Sequence, residues 1–483
     1  MRDEGPSGGP GAGQIVTFYS FKGGTGRTMA LANVAWILAA NGKQVLIADW
    51  DLESPGLHRF FQPFMHPEVS EKPGIVDFIR RYEWAAVDFM ARDDSAPRAA
   101  MARLIGEHVS QVSDYAAPVS WRFPGEGAID FLTPGKQGDG VYENTLSALD
   151  WDTLYDDLDG GDFFDVLRAY LKTAYDYVLI DSRTGLSDIA DICTIHLPDM
   201  VVDCFTLSTQ GIEGAARMAK RIQSHTLRDI TILPVPMRID HSQHASMVAG
   251  LQLAELLFDG LPAGMSQPQR ERYWAEIAVP YSPPYAYEET LAAFSDRPGS
   301  ADSLLPAYER LTAWITGHTV SALPPLDEWL RARTRLRFAR TALPGPPEVF
   351  LDFGPQDRPW AEWIAAVLAK TGIYARLAGE EPTGAADHEA LTRVVAVASE
   401  FYFSRLDARD FLFAERPELL ICVTDTRIPP EWSSEVPIIS LAGLSEAEAG
   451  KRLIDRLGGG WSPEHEPVTG AMRYPGGGHD PIA

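Results

Sequence analysis

The chain of 483 residues is long enough for two or three domains, and its 45% hydrophobic and 23% charged residues are typical of globular proteins. A net charge of -25 argues against a general affinity of its surface for DNA or anionic membranes. Three scattered cysteines, with no CxxC pair, indicate neither a disulfide framework nor a zinc site, so we expect a cytoplasmic protein. No signal peptide is visible, and the most apolar run, residues 29–40, is too short for a transmembrane segment.

The first regular elements follow a glycine-rich stretch, residues 1–13, which is predicted to be a flexible tail. Residues 14–21 (QIVTFYSF) predict a short buried strand, and a helix is predicted from residue 28 to residue 40, after a glycine turn. Residues 44–49 (QVLIAD) predict a second strand. Strand, helix and strand at this spacing form a βαβ unit, and therefore a parallel sheet.

The same alternation continues beyond an insertion at about 84–170, which contains one predicted strand at 128–133. Further buried strands are predicted at 176–182, 201–208 and 230–235. A helix at 211–223 separates the last two, and a helix at 304–317 closes the domain. We therefore predict a doubly wound, mostly parallel α/β domain over residues 14–320.

A proline- and arginine-rich linker is predicted at 321–347. Half of the residues in RARTRLRFAR (331–340) are arginine, which is unusual in so acidic a chain. This cluster is either a solvated linker or a contact for an anionic partner such as nucleic acid.

A second alternation begins at residue 348. Strands are predicted at 348–353, 373–378, 393–399, 418–424 and 436–441, with helices at 359–372 and 445–457. This pattern predicts a smaller, flavodoxin-like parallel α/β domain over 348–457. The glycine- and proline-rich residues 458–483 are predicted to be disordered.

The glycine turn after the first strand reads KGGTGRT and has the context of a phosphate-binding loop, between a strand and a helix. Glycines let backbone N–H groups approach phosphate oxygens, and the helix N-terminus favours an anion. Thr28 lies where a hydroxyl can bind Mg²⁺. The predicted nucleotide-binding residues are Lys22, Gly23, Gly24, Thr25, Gly26, Arg27 and Thr28.

Carboxylates end two of the predicted strands. Asp49 and Asp51 close the second strand, and Asp181 closes the strand at 176–182. Ligands of such sheets bind at the carboxyl ends of the strands, so these side chains are expected beside the loop. We predict Thr28, Asp49 and Asp181 as the Mg²⁺ site; structural capping is the alternative for each aspartate.

The motifs KGGTGRT, DWDLESPG and YDYVLIDSRTGLSD resemble those of the deviant Walker A ATPases of the ParA/MinD group, within the SIMIBI class of P-loop proteins. The resemblance covers roughly residues 14–320. It implies Mg²⁺ and ATP as cofactors, slow hydrolysis, and a homodimer that sandwiches two nucleotides. It also implies that Lys22 reaches the partner's phosphates and that Asp51 orients the attacking water.

Two positions depart from this group. Arg27 stands where the group has lysine; it keeps the positive charge, so binding is expected to survive while turnover slows. The group's adenine-reading asparagine is not evident in LPVPMRID (233–240), where Asp240 or backbone groups are the candidates to replace it. Residues 283–296 are interpreted either as a partner surface or as a plain surface helix.

Residues 348–457 are similar to a bacterial TIR domain, with an acidic loop near Asp357 after the first strand. In TIR enzymes that cleave NAD⁺ the glutamate lies on the helix after the third strand, and the matching residue here is Asp410. Asp is one methylene shorter, and Glu400 and Glu415 are interpreted as solvated. The domain is therefore predicted to bind a protein partner and not to cleave NAD⁺.

The leading hypothesis is a nucleotide-dependent dimerisation switch that positions the TIR-like domain, in bacterial signalling or defence. An NAD⁺-cleaving effector with an N-terminal nucleotide sensor is a second hypothesis. A positioning ATPase that holds DNA through the arginine cluster is the third, and the acidic balance of the chain makes it the least favoured.

Overall fold

The computed structural model divides the chain into two compact units, Met1–Pro325 and Leu326–Ala483. The residues that it describes are 13–66, 69, 71–92, 98–136, 141–185, 188–225, 228–286, 288–296, 303–338, 348–370, 373–378, 393–405, 417–428, 432, 436–457 and 474–476.

The described part of the first unit is built on a seven-stranded sheet with the order β3-β4-β2-β5-β1-β6-β7. Its strands are β1 (Gln14–Tyr19), β2 (Gln44–Trp50), β3 (Ala116–Pro118), β4 (Ala128–Leu132), β5 (Tyr177–Ser182), β6 (Met200–Phe205) and β7 (Thr231–Pro236). All neighbouring strands are parallel except β3, which runs antiparallel to β4 at the edge. The central strands are apolar along almost their whole length because helices cover both faces of a parallel sheet.

Helices surround this sheet. Those described in the first unit are α1 (Arg27–Ala40), α2 (Ile75–Arg92), α3 (Arg98–Val109), α4 (Val141–Ser147), α5 (Trp151–Asp156), α6 (Gly160–Ala174), α7 (Asp188–Asp191), α8 (Thr209–His225), α9 (His244–Leu257), α10 (Gln267–Glu276), α11 (Ala292–Ser295) and α12 (Leu305–Ile315). A π-helical turn, Ile192–His196, follows α7.

Helix α1 is almost entirely buried, and this fixes the phosphate loop at its N-terminus. Trp36 on α1 is 1% exposed and lies within about 5 Å, ring to ring, of four aromatic side chains: Phe64, Trp121, Phe123 and Phe294. Asn33 on α1 accepts a hydrogen bond from the backbone N–H of Ala292 at 2.7 Å. The loop therefore begins on a rigid core helix.

The second unit carries a smaller parallel sheet with the order β12-β11-β10-β8-β9. Its strands are β8 (Glu348–Phe353), β9 (Tyr374–Leu377), β10 (Arg393–Ala398), β11 (Leu419–Cys422) and β12 (Ile438–Ser440). The described helices are α13 (Glu328–Phe338), α14 (Arg358–Ala369), α15 (Glu400–Arg405) and α16 (Glu446–Leu457). Counted along this unit, the strand order is 2-1-3-4-5, which is the flavodoxin-like order. The predicted fold class is confirmed for both units.

Three local expectations differ from the structure. The arginine-rich segment forms a helix, α13, in which Arg331 pairs with Glu328. Residues 291–294, taken as a possible surface helix, are buried, since Leu291 and Phe294 are 0% exposed. Within the predicted disordered tail, Tyr474 contacts Trp363 and donates a hydrogen bond to the carbonyl of Leu444 at 2.8 Å. Periodicity alone did not signal these tertiary contacts.

Candidate functional site

The phosphate loop connects β1 to α1 at the carboxyl edge of the first sheet. Gly24 and Gly26 have φ angles of 74° and 94°, in the left-handed region that residues with a Cβ rarely adopt. Gly26 is the N-cap of α1, and its carbonyl accepts the N–H of Ala30 at 3.0 Å. These glycines are therefore needed for the tight turn that starts the helix.

Arg27, the first residue of α1, connects the loop to two carboxylates. Its Nε donates to Asp181 Oδ1 at 2.5 Å and its Nη2 donates to Asp51 Oδ2 at 3.0 Å. The side chains of Arg27 and Asp181 are 7% and 1% exposed, and that of Asp51 is 17% exposed. Burial alone would lower the pKa of Arg27, but Asp181 and Asp51 raise it above its ordinary value, so the guanidinium is charged.

Two buried polar groups of the loop have no hydrogen-bond partner in the described residues: Arg27 Nη1 and Thr25 Oγ1. Thr25 and Arg27 are 3% and 6% exposed. Buried donors are nearly always satisfied in folded proteins, and the exceptions call for an explanation. An anion bound in the loop would accept from both groups.

Thr28 and Asp181 place two oxygen atoms of the kind that Mg²⁺ binds next to each other. Thr28 Oγ1 donates to Asp181 Oδ2 at 2.7 Å. The described residues contain no cluster of three His, Cys, Asp or Glu side chains that could hold a metal alone. Mg²⁺ usually takes only one or two carboxylates and completes its shell with water and phosphate oxygens, so this pair fits the ion.

Asp49 lies beside Asp181 in the β2–β5 register and is 0% exposed. Its oxygens accept the backbone N–H groups of Asp51, Gly56 and Leu57 at 3.1–3.2 Å. Burial and the neighbouring Asp181 raise the pKa of Asp49. These contacts organise the segment after β2 and favour the capping role over direct metal binding, which stays a prediction.

Lys22 lies at the surface of the loop, away from this carboxylate cluster. Its ammonium donates to Gln210 Oε1, at the start of α8. The structure thus brings Arg27, Thr28, Asp51 and Asp181 into direct contact and leaves Lys22 on the outer side.

The sequence analysis missed two contacts at the site. Arg238 Nη1 donates to the carbonyl of Gly24 at 2.7 Å, and its guanidinium lies 5.0 Å from the Tyr281 ring centre. Arg183 pairs with Glu53 at 2.5 Å and joins the segments that follow β5 and β2. Arg183 lies in a motif, DSRTG, that could have drawn attention; no sequence signal marked Arg238.

In the second unit, buried polar contacts lie where β8 and β10 end. Ser399 donates to Asp357 Oδ2 at 2.6 Å, and Tyr402 donates to Asp352 Oδ2 at 2.9 Å. Ser399 Oγ also accepts the N–H groups of Phe401 and Tyr402, at 3.1 and 3.2 Å. Asp357 is therefore held in a helix-capping network. Asp410 and Glu415 lie outside the described residues, and Glu400 is exposed at the start of α15.

Comparison with known proteins places this site in a family. Residues 16–262 match the profile of the CobQ/CobB/MinD/ParA nucleotide binding domain. Among solved structures, the cell division ATPase MinD of Pyrococcus furiosus is 17% identical, with 63% of this chain and 99% of that chain covered and a TM-score of 0.36. The McdA–ATP complex of Cyanothece is 16% identical, covers 66% and 99%, and has a TM-score of 0.40.

The MinD–Mg-ADP complex of Pyrococcus horikoshii is 16% identical, covers 63% of this chain and 98% of that chain, and has a TM-score of 0.35. No curated protein matches the chain. No helix among the described residues is long and apolar enough to cross a membrane. The family profile spans just over half of the sequence and includes the loop and all three aspartates. The chain belongs to the CobQ/CobB/MinD/ParA nucleotide-binding family.

Proposed function

We propose that the first unit binds a nucleoside triphosphate with Mg²⁺, dimerises in that state and hydrolyses the nucleotide slowly. The observation that carries this proposal is the unpartnered, buried Nη1 of Arg27 inside a glycine loop. A phosphate oxygen would satisfy it while Nε and Nη2 keep their carboxylate partners. The family resemblance implies ATP as the nucleotide.

Thr28 and Asp181 are the proposed Mg²⁺ ligands, directly or through water. When bound, Mg²⁺ would neutralise charge on the β- and γ-phosphate oxygens. Asp181 would then have to share its charge between the ion and Arg27. This competition is one reason to expect slow turnover.

Asp51 supplies the second reason. A carboxylate that orients water acts by accepting its hydrogen bond, and Asp51 already accepts from Arg27 at 3.0 Å. Pairing with a fixed cation stabilises the ionised form and makes the carboxylate a weaker base. We therefore propose that Asp51 orients water inefficiently unless Arg27 moves.

Dimerisation is proposed because Lys22 is half-exposed at the outer surface of the loop. Its flexible ammonium is suited to reach a phosphate on a second copy, as the resemblance implies. The second unit is proposed to be a TIR-like module that binds a protein partner in bacterial signalling or defence. Its flavodoxin-like strand order supports an α/β module but identifies no partner.

Equilibrium binding of fluorescent ATP and GTP to the full chain, with and without Mg²⁺, tests the nucleotide proposal. Light scattering of the same samples tests dimerisation, and single-turnover hydrolysis tests the rate. We expect saturable, Mg²⁺-enhanced binding, a doubled mass and a rate that rises in Arg27→Lys. Absence of saturable binding of either nucleotide up to millimolar concentration would refute the proposal.

The control variants exploit the positive φ angles. Gly26→Val strains the phosphate loop, where φ is 94°, and should abolish binding. Gly260→Val carries the same substitution at a φ of 79°, in a turn where an added Cβ has no neighbour within 4 Å. It should leave binding unchanged, which separates loss of the site from general backbone strain.

A further inference from the structure

The segment after β7 forms one wall beside the phosphate loop. Its residue Ile239 is held by a neighbouring segment: Ile239 N–H donates to Val279 at 3.0 Å, and Tyr281 N–H donates to Ile239 at 2.9 Å. Met237 also approaches the loop, since its methyl carbon would lie 3.4 Å from a Cβ at Gly26. A nucleotide whose phosphates occupy the loop would present its base near these segments.

Arg238 is tied to the phosphate loop itself. Its Nη1 donates to the carbonyl of Gly24 at 2.7 Å, although the residue is exposed. Its φ of 57° is in the left-handed region, which is uncommon for residues other than glycine and concentrates at functional sites. The guanidinium also lies over the exposed Tyr281 ring at 5.0 Å. Flat groups of this kind are the surfaces on which bases stack.

Asp240 lies on the same exposed side as Arg238, because Ile239 between them is buried. Its Oδ1 accepts the N–H of Ser242 at 2.9 Å. The hydroxyl and backbone N–H of Ser242 lower the pKa of Asp240, so the carboxylate is ionised at neutral pH. The wall thus presents a cation that only donates hydrogen bonds and an anion that only accepts them.

We infer that Arg238, Asp240 and Tyr281 form the base-recognition edge of the nucleotide site and that this edge selects guanine over adenine. The inference rests on the proposed function and names the nucleotide for that site. Guanine offers acceptors at O6 and N7, which Arg recognises, and a donor at its 2-amino group, which a carboxylate recognises. Adenine offers a donor at N6 where guanine has O6, and it has no 2-amino group.

Both charged residues therefore discriminate in the same direction. An asparagine, with one donor and one acceptor in its amide, would suit the N6–N1 edge of adenine, and this segment has none. The adenine implied by the family resemblance is replaced here by guanine. We expect GTP to bind roughly 10- to 100-fold more tightly than ATP.

The test is equilibrium binding of GTP, ATP and xanthosine triphosphate to the full chain with Mg²⁺. Xanthine carries a carbonyl in place of the 2-amino group, so the amide of Asp240→Asn could donate to it. Asparagine also caps turns as well as aspartate does, and the fold should persist. In Asp240→Asn we expect GTP to weaken and xanthosine triphosphate to tighten, each by about tenfold or more. ATP affinity should change little.

Two further variants sharpen the result. Arg238→Asn tolerates the left-handed backbone and should reduce the preference for GTP over ATP. Asp156→Asn, an exposed aspartate on α5, should change none of the affinities. ATP binding as tightly as GTP, or unchanged GTP affinity in Asp240→Asn, overturns the guanine assignment and leaves the proposed function intact. Absence of binding by all three nucleotides overturns the proposed function and the assignment together.

Discussion

Replacing Arg27 by methionine removes the guanidinium but keeps an unbranched side chain in the first turn of α1. Asp181 would then keep its negative charge with 1% of its side chain exposed and only Thr28 to donate to it. Asp51 would lose its ion pair as well, although 17% of its side chain is exposed. The variant therefore tests whether Arg27 is the internal counter-ion of the site.

The expected loss is dominated by Asp181. Removing one partner of a buried ion pair costs about 3–5 kcal/mol, because the remaining charge stays desolvated. The Asp51 pair is nearer the surface and adds about 1 kcal/mol or less. We expect the unfolding free energy of the first unit to fall by roughly 3–5 kcal/mol in Arg27→Met.

The chain has two units, so a single unfolding transition is not assumed. Hydrogen exchange of peptides from α1 and β5, measured at increasing urea concentrations, reports the first unit separately. The double variant Arg27→Met/Asp181→Asn serves as the control, because it removes both charges. Its loss should be smaller than the sum of the two single losses by about 1 kcal/mol or more.

A loss below about 1 kcal/mol in Arg27→Met would refute the counter-ion role, because so small a change corresponds to a solvent-exposed pair. Additive losses in the double variant would refute it independently. Arg27→Lys should lie between wild type and Arg27→Met, since one ammonium keeps the charge but lacks the fork that spans two carboxylates.

Three further predictions concern other residues. Asp51→Asn should reduce the single-turnover rate about 100-fold or more while nucleotide affinity changes little, because it removes the water-orienting carboxylate; rapid quench measures the rate. Asp203→Val should raise the unfolding free energy by about 1–3 kcal/mol at pH 8, because neither carboxylate oxygen of this buried residue has a hydrogen-bond partner in the described residues. Asn33→Leu should destabilise the first unit by about 1–3 kcal/mol, because the buried N–H of Ala292 loses its acceptor; urea unfolding measures it.

The Asp203 prediction has a definite pH dependence. Burial raises the pKa of Asp203 well above its ordinary value, so the folded state disfavours its charged form. The stability that this group allows is fully present below its unfolded pKa of about 4 and is lost as pH rises through the folded pKa. The advantage of Asp203→Val in urea unfolding should therefore grow from pH 4 to pH 8. An advantage that is equal at both values would contradict this account.

The strands and the loop were predictable because they depend on local patterns. Apolar runs such as QVLIAD ended in aspartate at the carboxyl edge, and the parallel topology brought Asp49 next to Asp181. The partners of Arg27 were not predictable from its position, since a guanidinium at the start of α1 can turn toward phosphate or toward carboxylates. Asp49 was misleading for a similar reason: its three backbone donors come from a segment without a regular pattern.

Contacts between distant segments set the remaining limits. Arg238 reaches Gly24 across 214 positions in sequence, and nothing in LPVPMRID marks it as a neighbour of the loop. The burial of residues 291–294 depends on Trp36 and Asn33, which lie on α1. Such long-range pairings are set by topology, and one sequence records them only as unexplained polar or apolar residues.

Arginine at position 27 has a physical reason that does not depend on phosphate alone. A lysine there would have one ammonium to divide between Asp181, Asp51 and a phosphate, whereas the guanidinium meets two carboxylates and still has Nη1 directed into buried space. Any ligand that satisfies Nη1 therefore acts on a group already coupled to the proposed Mg²⁺ ligand and to the proposed water-orienting residue. Nucleotide binding, metal binding and turnover should consequently change together in variants of Arg27, and separately in variants of Asp51 or Asp240.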